Sequence, residues 1–140
     1  MRYQQFFFAV VIMGLLAAVS AAGELKIVAN PSVDASELSA DELKGVFLLT
    51  KSALRNGAHV EPVLLKSGAA HEIFLKQYVG KTEAALETYY RSLVFTGKAS
   101  MPKSVASDTE VMAYVAKTKG AIGYISAGAA AAGVKVIEVK

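Results

Sequence analysis

Short apolar runs of strand period alternate along the chain with longer stretches of helix period. In residues 24–30, Leu25, Ile27 and Ala29 alternate with Lys26 and Val28, and Pro31 stops the run, so a strand is predicted. The helix that follows carries an apolar stripe of Leu43, Val46 and Phe47. Its start is marked twice: Ser39 and Glu42 have capping-box spacing, and Leu38 and Leu43 have that of a hydrophobic staple. "TKSALRNGAHVE" is a polar excursion turning at Asn56-Gly57. "VEPVLL", residues 60–65, reads as a second strand, with Pro62 pointing to an edge position or a bulge. After the loop "KSGAA", a helix is predicted from His71 to Val79, ended by Gly80. A longer one covers 83–95, with Leu86, Tyr90, Leu93 and Val94 on its core face.

"TGKASMPKSVA" then reads as a loop, and Ser107 with Glu110 forms a second capping box. The helix it opens turns Val111, Met112 and Val115 inward. "GAIGYI" is a strand. In it, Gly120 is expected at the C-cap of the preceding helix and Gly123 is expected to let a neighbour approach closely. Tyr124 is expected to fill core, with its hydroxyl towards a cleft. Ala129–Ala132 read as a short helical turn. The last strand, "VKVIEV", leaves open which alternate set is buried. Alternating strands and helices without an internal repeat predict one α/β domain.

The first residues stand outside that pattern. Arg2 is the only charge before Glu24, an apolar run extends from Phe6 to Val19, and "SAAG" follows. A basic start, an apolar centre and small exit residues make residues 1–22 a secretory signal peptide, with cleavage after Ala21 or Ala22. The run is shorter than the roughly 20 residues of a membrane-spanning helix. Residues 23–140 are then the folded domain, about 118 residues, enough for one core.

The formal net charge of +3 falls to +2 without Arg2, and no Lys/Arg cluster is present, so nucleic acid is not an expected partner. The chain has no cysteine, which excludes disulfides, thiolate metal sites and thiol nucleophiles. Together with the leader, this places the protein free in the periplasm.

Catalytic patterns are absent. His59 and His71 have no metal-ligand partner at helical spacing, and no nucleophile elbow, Walker loop or dinucleotide fingerprint occurs. The acids Asp41, Glu42, Asp108 and Glu110 are accounted for by helix starts. The expectation is a binding protein without enzymatic activity, metal or cofactor. "LLKSGAAHEIF" has the order strand, small-residue loop, helix, which offers backbone N–H groups to an anion. Lys66 would add a cation, Ser67 a hydroxyl, and Gly68 close backbone approach; the same residues also suit a plain turn into the helix. "NPS", residues 30–32, is a second loop after a strand, with Ser32 as hydroxyl donor or as part of a simple proline turn. Arg91 has Glu87 four residues before it and reads as half of a surface pair.

"LSADELKGVFLLTK", "PVLLKSGAAHEIFLKQYVG" and "VAKTKGAIGYIS", in this order, resemble segments of the phosphate-binding proteins of ABC transporters. The stretch "YYRSLVFTGKASMPKSV" is similar to short, single-domain members of that superfamily. The resemblance covers most of the chain after the leader. It implies a type II periplasmic binding protein fold: here a single compact lobe with a small mixed sheet flanked by helices. It also implies a phosphate site of hydroxyls, helix-start N–H groups and a basic residue. The family's S-G-T loop falls on Ser67, Gly68 and Ala69, so the threonine hydroxyl is missing; shifted by one, the loop gives His71 a hydroxyl position. Lys66 falls near the family's arginine.

The resulting expectation is a periplasmic protein binding phosphate or a related oxyanion, in contact with an ABC transporter membrane component. Ser32, Lys66, Ser67, Gly68 and His71 would hold the ligand, between "NPS" and "KSGAAH". The alternative keeps the fold as an envelope module that binds another protein. The mass of about one lobe and the missing threonine favour that alternative.

Overall fold

The computed structural model describes residues 25–140; the expected signal peptide lies outside them. Six strands form one mixed sheet: β1 (Leu25–Ala29), β2 (Glu37–Leu38), β3 (Glu61–Leu65), β4 (Lys103–Val105), β5 (Ala121–Ser126) and β6 (Lys135–Val139). Their spatial order is β2-β6-β1-β5-β3-β4. β1 runs antiparallel to both β5 and β6, whereas β3 is parallel to β5 and β4. The helices are α1 (Ala40–Phe47), α2 (Ala69–Phe74), α3 (Glu83–Phe95) and α4 (Asp108–Lys117). α2 runs on into a π-wound segment, Leu75–Val79, which Gly80 ends in a left-handed conformation. Among the described residues no helix is long and apolar enough to cross a membrane.

Consecutive residues of β5 show how the layers meet. Tyr124 points to one face, where its ring stacks on Phe74 of α2 at 3.8 Å between centroids and lies 5.8 Å from Phe47 of α1. Gly123 points to the other face, against α4: a Cβ there would stand 2.8 Å from Val111 Cγ1. The expected close approach at Gly123 is therefore made by a helix side chain. Helices on both faces also explain β1, where Ile27, Val28 and Ala29 are all buried instead of alternating. α3 joins the α1 side. Tyr90 Oη donates to Phe47 O and Tyr89 Oη to Leu48 O, both at 2.5 Å, which makes these tyrosines packing residues.

Several expectations change. Pro62 does hold the edge position expected of it, but only locally: β3 lies between β5 and β4, and at Pro62 it pairs with β5 alone. Glu61 N–H donates to Gly120 O at 2.9 Å, so the missing N–H of Pro62 faces the other side, before the β4 ladder begins at Val63. Gly120 has φ +78° as expected of a turn glycine, but the C-cap of α4 is Thr118. Ala129–Ala132 form no helical turn. Ile137 is buried in β6 and Val136 exposed, which settles its register. Val94, expected on the core face of α3, is exposed.

Each capping box is half realised. Ser39 Oγ accepts the Glu42 N–H and Ser107 Oγ the Glu110 N–H. Glu42 turns instead to Arg55 Nε at 3.1 Å, and Glu110 accepts the N–H of Ala106 at 2.6 Å. The second contact also occupies a donor beside the outer edge of β4, where Pro102 offers none; both features blunt that edge.

Candidate functional site

The site begins where β3 ends. Lys66 N–H donates to Val105 O at 2.9 Å, fixing its backbone to β4, while its side chain is exposed. Ser67 is exposed beside it. Gly68 is the N-cap of α2, with φ +105° and no side-chain cap hydrogen bond. A Cβ at Gly68 would meet nothing within 4 Å, so this glycine is required by its backbone angle, not by crowding.

His71, one turn into α2, is buried and both its ring nitrogens are engaged. Tyr124 Oη accepts the Leu65 N–H at 3.0 Å and lies within hydrogen-bond reach of His71 Nδ1. Burial pushes the Tyr124 phenol above its ordinary range, against the smaller downward pull of the Leu65 N–H, so the phenol keeps its proton. The other ring nitrogen, Nε2, meets Glu83 Oε2 at the first turn of α3. Leu65 N–H, Tyr124, His71 and Glu83 form one continuous chain from the sheet to the surface.

Lys66, Ser67, Gly68 and His71 line one groove of about 630 Å³. Its other walls come from Glu72 of α2, from Leu75 and Lys76 of the π-wound segment and from Gly80 to Glu83 at the entry to α3. His71 and Glu83 also line a second groove of about 420 Å³, with Tyr90, Arg91 and Met101. Lys66 reaches both grooves and a third of about 400 Å³ beside Lys103 and Lys117. Arg91 pairs with Glu87 at 3.4 Å on the surface, as its spacing predicted. Among the described residues no cluster of three or more His, Asp or Glu side chains is placed to hold a metal ion.

Ser32 does not line this groove. Its Oγ accepts the Gly120 N–H at 3.0 Å, and its own N–H donates to Asn30 Oδ1 at 2.9 Å. Asn30 Nδ2 in turn donates to Val115 O and Ala116 O at 2.8 and 3.1 Å. "NPS" is thus clasped to the end of α4. Strand direction explains the separation. β1 ends beside the start of β5, with Ala29 opposite Ile122, whereas β3 ends beside Tyr124 further along β5. The two loops leave opposite ends of the sheet.

Tyr124 was expected to fill core with its hydroxyl towards a cleft, whereas Glu83, Leu75, Lys76 and Lys81 were not read as site residues from the sequence. Glu83 carries only a helix-start signal there. The burial of His71 did leave a trace, because His71, Phe74 and Leu75 share the i, i+3, i+4 spacing of one helix face.

No protein-family model matches the chain, and no curated protein sequence is similar to it. Solved structures do match it in fold. An ABC-type phosphate transport receptor from Vibrio cholerae superposes with a TM-score of 0.64 at 19% identity, over 82% of this chain and 45% of that one. A putative phosphate ABC transporter substrate-binding protein from Clostridium perfringens, solved with bound phosphate, gives 0.63 at 15% identity, over 82% and 44%. PstS from Borrelia burgdorferi gives 0.64 at 16% identity, over 83% and 47%. The chain spans less than half the length of these proteins. The expected fold, a periplasmic binding protein-like α/β lobe with a mixed sheet flanked by helices, is the one observed.

Proposed function

We propose that this chain, built on the fold of phosphate-transport receptors, binds phosphate or a related oxyanion in the groove at Lys66, Ser67 and Gly68. The observation that carries this reading is the convergence of a cation, a hydroxyl and an uncapped helix start on one groove. His71 acts as a positioning residue. Its two nitrogens are held by Tyr124 and Glu83, and it anchors α2, and with it the loop, to the sheet. The role is binding without chemistry, in the periplasm after export by residues 1–22, with delivery to an ABC-type transporter.

Magnitudes set the affinity. Each exposed charge or helix-start contact contributes about 0.3–1 kcal/mol. A few of them sum to about 1–4 kcal/mol, at most the roughly 4 kcal/mol of a millimolar dissociation constant and well short of the roughly 8 kcal/mol of a micromolar one. The lobe alone is therefore expected to bind phosphate no more tightly than the millimolar range. At phosphate tenfold above that constant, mass action stabilises the fold by about 1.4 kcal/mol, a rise in Tm of about 5 °C. Lys66→Ala and Ser67→Ala are expected to abolish most of the rise. Both side chains are exposed, so stability without phosphate should change by less than about 0.5 kcal/mol. A phosphate-induced rise that survives both substitutions would remove the site from this groove.

One observation favours a second reading, an envelope module that binds another protein. Phe95, at the end of α3, is 93% exposed, with Met101 at 55% and Val94 at 41%. Absence of any phosphate effect, together with a protein partner lost in Phe95→Ala, would favour it.

A further inference from the structure

We propose that α3 is a contact surface for a second copy of this chain, packed antiparallel about a two-fold axis level with Tyr89. The contact needs none of Lys66, Ser67 or Gly68 and is independent of the anion site. Of the 13 residues of α3, only Leu86 and Tyr90 are buried. Ala84, Glu87, Arg91 and Val94 are all exposed, and their successive spacings of three, four and three put them on one face of the helix. At its end, Val94 and Phe95 stand in solvent together with Met101.

This face is complementary to itself in one orientation. Tyr89 is the midpoint of α3. In an antiparallel pair centred there, Ala84 lies opposite the partner's Val94 and Glu87 opposite the partner's Arg91, and symmetry makes each contact twice. A small side chain faces a larger one, and an acid faces a base. A parallel pair would set Glu87 against Glu87 and Arg91 against Arg91, so the charges select the antiparallel one. Glu87 and Arg91 already pair at 3.4 Å along the helix. Across the axis each gains a second neighbour of opposite sign. In the same register Phe95 falls level with the partner's Glu83, beside the groove that Glu83, Leu86 and Tyr90 line. A seam of this length, about 20 Å, buries less than the roughly 1,200–2,000 Å² of a stable interface. The dimer is therefore weak, with a dissociation constant on the order of 0.1 mM.

Sedimentation equilibrium of the purified protein between about 0.01 and 1 mM tests this. A reversible monomer–dimer equilibrium is expected. Glu87→Arg or Arg91→Glu alone places like charges across the axis and should weaken the dimer at least about tenfold. Both side chains are exposed, so both variants should stay folded. An equimolar mixture of the two variants should dimerise about as tightly as the parent protein, since one copy then presents two bases to the two acids of the other. A monomer throughout that range would overturn the proposal. So would a dimer that the single substitutions leave unchanged, or a mixture that associates no better than either variant alone.

Discussion

Tyr124→Phe is expected to destabilise the protein by about 3 kcal/mol, although it removes a single oxygen. The ring stays, with its stacking on Phe74 and its contact with Phe47. Two groups inside the fold lose their partner: the Leu65 N–H, which donates to the phenol at 3.0 Å, and His71 Nδ1, whose hydrogen-bond partner is the phenol. An orphaned buried donor or acceptor costs roughly 1–3 kcal/mol, and neither has a substitute in the hydrogen-bond pattern. Tyr89→Phe is the control. That hydroxyl donates to Leu48 O in a partly buried place, and losing it should cost about 1 kcal/mol. Urea unfolding of the two variants measures the difference; equal losses would mean that the Tyr124–His71 chain is not dry.

Gly120→Ala is expected to cost about 3 kcal/mol from two separable sources. At φ +78° a residue with a Cβ loses about 1–2 kcal/mol. That Cβ would also stand 2.6 Å from His59 O, a backbone atom, and the clash adds roughly another 1–2 kcal/mol. The neighbourhood cannot yield easily, since Gly120 N–H donates to Ser32 Oγ and Gly120 O accepts from Glu61. Gly57 isolates the first source: its φ is +83° and a Cβ there would meet nothing within 4 Å. Gly57→Ala should lose only about 1–2 kcal/mol, and a Gly120→Ala loss no larger would contradict the close contact.

The contrast between these residues shows where local reading works. Ser39 and Ser107 announce α1 and α4 because a cap is a relation across three residues. The glutamates of the same motifs failed to close their boxes because Arg55 and the Ala106 N–H, set by the fold, compete for them. Strands β2 and β4 are too short to show a period and exist through long-range pairing with β6 and β3. The π-wound turn at Leu75–Val79 has no composition signal at all.

For the site, the local half was legible and the distant half was not. Lys66, Ser67 and Gly68 adjoin one another, and strand–loop–helix order suffices to place them together. Ser32 was grouped with them because "NPS" also follows a strand. Only the antiparallel run of β1 against β5 reveals that its loop leaves the other end of the sheet. His71 and Glu83 meet because the turn at Gly80 brings the first residue of α3 back to α2, a pairing across 12 residues that no periodicity records.

The central claim is that an oxyanion sits at Lys66–Gly68. Backbone amide shifts followed during a titration with inorganic phosphate test it most directly. Saturable shifts centred on Ser67, Gly68 and Ala69, with Ser32 and Ser104 unmoved, are the predicted result. No saturable shift up to phosphate on the order of 10 mM, or shifts centred on the Lys103–Lys117 groove, would contradict it.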